Sequence, residues 1–215
     1  MKIKNIKVYG LEESIIRSGY PMQTGEPDDI YESDGELLHF IDDRNLNRSK
    51  KLAKTPVGSG HNNFLKGIIV QFDLKYPQYF TPQLQRYHWI DIISSQSKMH
   101  KLTSVTDIKE SCNKYVSTYF TDRINNWIYQ YNNHLEYPQE LFNETIIVNS
   151  KEELFQYIIS NLPMGYEMWM GISSNYLQLK TIYNQRKNHK LKDDWGYFCD
   201  FIKGLPLANE LILIE

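Results

Sequence analysis

Cysteine is scarce. Cys112 and Cys199 are far apart and lack metal-ligand spacing, which excludes a disulfide-built scaffold and a cysteine-based zinc site. Their expected role is that of free, buried small hydrophobes in a reducing compartment. An excess of charge of one sign is missing too: 24 Lys and Arg stand against 26 Asp and Glu. No electrostatic footprint for non-specific nucleic-acid or anionic-membrane binding results, so any bound anion must be held locally. No apolar run is long enough to span a bilayer, and the start MKIKNIKVYG lacks the apolar core of a signal peptide. A cytoplasmic protein without a membrane partner is expected. Walker loop, dinucleotide fingerprint, Ser–His–Asp order, internal repeat and low-complexity tract are all lacking. His61, His88 and His100 lack the tight spacing of a metal site, so no metal is expected.

Aromatic residues are abundant. With 16 Tyr, 9 Phe and 4 Trp, a core or an oligomer interface has large, semi-polar anchors to draw on. The length of 215 residues suits one sizeable core, and residues 1–215 are read as a single domain. Ile3 to Tyr9, closed by Gly10, reads as a strand, and LEESIIRSGYP as a short helix stopped by Gly19 and Pro21. Residues 22–45 are acidic and turn-rich, a surface excursion. NRSKKLAK is a basic helix ending at Pro56, and VGSGHNN a glycine-rich connection.

The clearest strand alternates Ile68, Val70, Phe72 and Leu74 with Ile69, Gln71, Asp73 and Lys75, and Pro77 ends it. Thr81-Pro82 then supplies an N-cap and a proline at the first helical position, which predicts a helix from Pro82 to Ile93. On it Leu84, His88 and Ile92 share one face, and Gln83 and Arg86 share another, able to point at one ligand. Helical spacing is also read through Ile108, Cys112, Tyr115, Val116, Tyr119 and Phe120. Ser150 and Glu153 form a capping box opening KEELFQYIIS. YEMWMGIS reads as a strand. A helix then starts near Ser174-Asn175 with Leu179, Ile182, Tyr183 and Arg186 on one stripe, and a last helix spans Lys192 to Lys203.

Each polar residue has a plain structural reading: His88 as a hydrogen-bonded core residue, Arg186 as a snorkelling side chain, Ser94, Ser95 and Ser97 as a dissolving helix end. Two distant segments nevertheless each put an arginine on a helix after a strand, an arrangement suited to a phosphate or a pyrimidine carbonyl. The order SGH, alternating strand, Lys-x-Pro, five residues, Gln-x-x-Arg and a serine-bearing loop resembles the flavin-dependent thymidylate synthases, whose signature is RHRxxSxNExSxRY. The stretch LPMGYEMWMGISSNYLQLKTIYNQR resembles that family's second conserved region without a gap. Residues 57–100 and 160–195 carry the likeness.

The resemblance implies an α+β fold, an antiparallel sheet flanked by helices. It also implies a homotetramer with sites shared between subunits, and FAD as cofactor with NADPH and methylenetetrahydrofolate as co-substrates. The activity implied is reductive methylation of a pyrimidine nucleotide, dUMP or a modified analogue. Position by position it makes Arg186 and Ser97 catalytic and Gln83, Arg86, Lys98 and Arg186 substrate-binding. His61, Arg86, His88 and Asn175 become cofactor-binding. The signature's histidine stands as Tyr87, its second arginine as His88, its Asn-Glu as Ser94-Ser95 and its final Arg-Tyr as Met99-His100. The arginine before the Leu-Pro pair stands as Ile159. Losing these cations removes phosphate ligands, with Lys98 and Lys101 as less directional substitutes. The alternatives are a non-catalytic nucleotide- or protein-binding module on the same fold, or an unrelated domain whose arginines are structural.

Overall fold

The computed structural model describes residues 1–27, 29–31, 41–141 and 144–214. Residues 28 and 32–40, within the expected surface excursion 22–45, lie outside the described residues. The first half of the chain runs β1 (Lys2–Tyr9), α1 (Leu11–Arg17), α2 (Asp43–Ala53), β2 (Ile69–Pro77), the one-turn α3 (Thr81–Leu84), β3 (Asp91–Ser95) and the one-turn α4 (Lys98–Lys101). The second half runs α5 (Thr118–Asn133), the two-residue strands β4 (Gln139–Glu140) and β5 (Ile147–Val148), α6 (Lys151–Ser160), β6 (Glu167–Asn175), α7 (Tyr176–Arg186), α8 (Tyr197–Lys203) and α9 (Ala208–Leu211). Four strands form an antiparallel sheet in the order β1-β2-β6-β3, and β4 pairs antiparallel with β5. The expected α+β fold is the one observed.

Two compact units emerge: Met1–Lys2, Leu74–Leu84 and Ser94–Met170 in the first, Ile3–Asp73, Gln85–Ile93 and Gly171–Glu215 in the second. In the first, α5 and α6 bury Ile124, Trp127 and Ile128 with Leu154 and Ile158, and Leu102 and Ile108 complete that core. Apolar residues three and four apart on each helix make this packing face. Half of the expected capping box forms: the Ser150 cap is made, while the Glu153 carboxylate reaches the N–H of Asn149, one residue before the N-cap. Ser150 Oγ accepts from the Glu153 N–H at 3.1 Å, and the Glu153 carboxylate accepts from the Asn149 N–H at 2.7 Å.

The second unit is built around α7, whose Leu179 and Ile182 are fully buried, together with Trp195, Phe198 and Ile202. Phe72 packs its ring at 4.7 Å from Phe201 and 6.0 Å from Phe198. The β2 alternation stands: Val70, Phe72, Leu74 and Tyr76 are buried, and Gln71 is exposed. Gly10 turns β1 into α1 at φ 69°. A Cβ there would lie 2.6 Å from the Gly67 carbonyl oxygen, so both conformation and space require glycine.

Two helix readings are corrected. The helix expected over 82–93 ends at Leu84, the chain turns through 85–90, and Asp91–Ser95 is a strand beside β6. The Thr-Pro start signal sets where a helix opens but not its length. Beyond it, Trp89, Ile90, Ile92 and Ile93 are β-branched or aromatic and favour the pleated sheet. With the helix goes the shared face: Leu84 is buried, whereas His88 and Ile92 are exposed. The second correction concerns residues 105–117. Ile108–Ser111 is a short 3₁₀ turn, and the long helix opens only after Ser117. The Asp107 carboxylate accepts from the Lys109 N–H and from Asn125 Nδ2, a local alternative to helix, and Cys112 bridges to Tyr166. The expected last helix over Lys192–Lys203 is present as one wide π turn, Lys192–Gly196, continuing into α8.

Candidate functional site

In the second unit, α7 gathers the polar residues. Asn175 is its N-cap, with Oδ1 accepting the Gln178 N–H at 2.9 Å. At the other end of the helix, Arg186 Nε donates to Tyr87 Oη at 2.6 Å, and Tyr87 Oη donates to Gln185 Oε1 at 3.1 Å. The guanidinium lies 4.4 Å from the centre of the Trp195 ring and 5.4 Å from that of Tyr87, two cation–π contacts. Tyr87 and Trp195 are themselves edge to face at 6.0 Å. Nε is thereby fixed, while the terminal nitrogens of Arg186 make no hydrogen bond among the described residues. A planar cation so held matches an acceptor pair such as adjacent carbonyl or phosphate oxygens.

His189 packs against the other partner of Arg186, its ring 6.0 Å from Trp195. Burial, then the Arg186 and Lys190 charges, holds its pKa below the ordinary histidine value. Its Nδ1 accepts from the Leu191 N–H at 3.1 Å, as a neutral imidazole does. Beside Arg186, then, histidine adds no second charge.

The turn 85–90 is fastened to α7 at two points: Tyr87 through Arg186 and Gln185, and Trp89 through its N–H to Gln178 Oε1 at 3.4 Å. This brings Arg86 and His88, both exposed, to the flank of α7, with His88 edge to face on Trp89 at 5.2 Å. His61 is exposed in a turn where Gly58 and Gly60 both take positive φ. Two residues on, the turn Asn63–Gly67 packs against α7. Of the predicted residues, then, Asn175 and Arg186 stand at opposite ends of α7 and Arg86 and His88 on the turn fastened to it, with His61 in the loop leading to its packing partner.

The remaining three belong to the first unit. Gln83 is half-buried on α3. Ser97 is the half-buried N-cap residue of α4, without a side-chain cap bond. Lys98 Nζ donates to Gln78 Oε1 at 2.9 Å, and Gln78 is held by its own N–H on the Tyr166 carbonyl at 3.0 Å. Among the described residues, no group of three or more His, Cys, Asp or Glu is placed to hold a metal. No described helix is long and apolar enough to cross a membrane.

Sequence reasoning missed Gln185, Trp195 and His189 as neighbours of Arg186, and it noted Tyr87 only as a replacement. Trp195 and Tyr87 carry no short-range signal for this role, since the Tyr87–Arg186 bond joins residues 99 positions apart.

Among solved structures, that of thymidylate synthase X from Helicobacter pylori with FAD and dUMP matches this chain at a TM-score of 0.68, covering 99% of this chain and 98% of that one. The fold is shared. A second structure, the flavin-dependent thymidylate synthase of the same organism complexed with FAD and dUMP, matches at 0.63 over the whole of both chains. Sequence identity is 14% in each case. No protein-family model and no curated protein matches the sequence.

Proposed function

We propose that the protein is a flavin-dependent thymidylate synthase-like enzyme. In this reading it methylates a pyrimidine nucleotide reductively, dUMP or a modified analogue, with FAD as cofactor and NADPH and methylenetetrahydrofolate as co-substrates. The observation that carries this is the whole-chain likeness of fold to structures that hold both FAD and dUMP. The residues present fit such ligands. Exposed Arg86 and His88 offer donors to an anionic group, exposed Trp89 offers a flat ring, and Arg186 keeps its terminal donors.

Bound flavin, when reduced, would supply the methylene and hydride transfer chemistry. The chain's own part is positioning and electrostatics. Arg186, braced by Tyr87 Oη and stacked on Trp195, is set to hold the pyrimidine carbonyls and to stabilise negative charge developing on the ring. Tyr87 accepts from Arg186 Nε and donates its own hydroxyl hydrogen bond to Gln185, so it orients the guanidinium without competing for the ligand. Arg86, His88 and His61 are assigned to the flavin, Gln83, Arg86 and Lys98 to the nucleotide, and Ser97 to catalysis beside Arg186, as the resemblance implies. Asn175 enters through α7, whose first turn it caps. A homotetramer is part of the proposal.

The first test is an absorption spectrum of the purified protein with and without added FAD, followed by deuterium-traced conversion of dUMP to dTMP with both co-substrates. Flavin absorbance together with labelled dTMP is the expected result. A colourless protein that takes up no FAD overturns the enzyme and leaves the binding module.

A further inference from the structure

Away from α7, within the first unit, lies a cavity of about 290 Å³. One wall is a single face of α5, where Phe120, Arg123 and Trp127 recur at spacings of three and four. The opposite wall comes from the end of α6, with Tyr157 and, four residues on, Asn161. Glu144 closes it, its backbone N–H bonded to the Leu141 carbonyl at 3.0 Å.

Three features make this more than a gap between helices. The rings of Phe120, Trp127 and Tyr157 line it, with Trp127 and Tyr157 edge to face at 4.9 Å, so the walls suit a flat ring. Arg123 is ion-paired to Glu144, which sets a carboxylate acceptor beside a guanidinium donor at one place. Finally, Trp127 is 4% exposed, and its indole Nε1 is buried without a hydrogen-bond acceptor among the described residues. Native structures rarely leave a buried donor unsatisfied unless a water, ion or ligand meets it.

We propose that this cavity binds a small, flat, neutral lactam of nucleobase size. A lactam carries a carbonyl and an N–H side by side. The carbonyl answers the Trp127 N–H, and the N–H answers the Glu144 carboxylate, while the ring lies among Phe120, Trp127 and Tyr157. A volume near 290 Å³ sits at the lower end of ligand pockets, which favours a free base over a nucleotide. The two charges in the wall, Arg123 and Glu144, cancel in their ion pair, which favours a neutral ligand. This site does not depend on the function proposed for α7.

Calorimetric titration of the full chain with uracil, hypoxanthine and 1,3-dimethyluracil tests it. Uracil or hypoxanthine should bind saturably, and the first ligand to do so fixes whether one ring or two fit. 1,3-Dimethyluracil keeps the carbonyls but has no N–H for Glu144, and it should bind at least about tenfold more weakly than uracil. Trp127→Phe keeps a ring and removes the donor, with an expected loss of about tenfold. Asn161→Trp, at the end of α6, should block entry should Trp127→Phe fail to fold. Arg186→Ala should leave the affinity unchanged. No saturable heat with either base at millimolar concentration overturns the proposal. So does binding that Trp127→Phe and Asn161→Trp leave intact; its loss in Arg186→Ala would then put the base at α7.

Discussion

Replacing Asn175 separates two roles that the sequence alone cannot. The resemblance makes this residue a flavin contact, whereas the structure uses its Oδ1 to cap α7. Asn175 and Gln178 are 4% and 8% exposed, so the Gln178 N–H has little access to water if the cap is removed. Losing an N-cap costs about 0.5–2 kcal/mol, and leaving a buried donor unsatisfied about 1–3 kcal/mol. Both describe the same bond and do not add, so Asn175→Ala should destabilise by about 1–2 kcal/mol. For a chain of 215 residues that lowers Tm by about 2–8 °C. Asn175→Ser and Asn175→Asp keep a capping oxygen and should recover most of the loss. Urea denaturation followed by far-UV circular dichroism gives the stability, and flavin absorbance on the same samples gives the binding. If Asn175→Ala stays within about 0.5 kcal/mol of the parent, as surface substitutions do, while flavin content collapses, the capping argument is wrong.

Arg186→Ala should abolish dUMP turnover, with Arg186→Lys intermediate because it keeps the charge and loses the planar fork; the kcat of each variant on dUMP decides. Tyr87→Phe should lower kcat more than it raises KM, because it frees the Arg186 Nε without touching the ligand; an unchanged kcat would make the bond ornamental. Gly10→Ala forces a positive φ on a Cβ that meets the Gly67 carbonyl, and should destabilise by more than about 1 kcal/mol in the same urea assay. Burial pushes the thiols of Cys112 and Cys199 up to about 11 from 9.0. Below pH 9 both are protonated in folded and unfolded chains alike, so the stability they contribute is intact there and is lost as pH rises from 9 through 11. A stability profile over that range should fall, and iodoacetamide at pH 8 should label the unfolded chain far faster than the native one.

What could be read in advance was local. The β2 alternation, the Ser150 cap and the helix start near Ser174-Asn175 are each set by residues close in sequence, and all three form. The failure at 82–93 came from treating a start signal as an element: Thr81-Pro82 opens one turn, and pairing beside β6 then overrides helical periodicity in a segment rich in isoleucine. At the site, Arg186 was legible through the family resemblance; the expected stripe through Leu179, Ile182, Tyr183 and Arg186 is not distinct, because α7 is buried on every side from Tyr176 to Lys180. The bracing of Arg186 was not legible, since Tyr87 and Trp195 reach it only through tertiary packing and no spacing rule links them.

The arginines and lysines of the second unit divide by how their donors are used. Arg48 gives Nε to Ser18 Oγ and Nη2 to the Ile15 and Ile16 carbonyls and to Asn45 Oδ1, so it ties α2 to α1. Its guanidinium sits so near Gly19 that a Cβ there would come within 2.6 Å of it. Lys180 donates to the Ala53 carbonyl at the end of α2, a helix-end bond, and burial lowers its pKa. Arg186 differs from both. One nitrogen is spent on Tyr87, the guanidinium lies 4.4 Å from the centre of the Trp195 ring, and the forked end makes no hydrogen bond among the described residues. A side chain that only stabilised the fold would be expected to find carbonyls for those donors, as Arg48 does. Fixing the orientation of a cation while leaving its fork unspent is the arrangement that pre-organises it for an acceptor arriving from outside the chain.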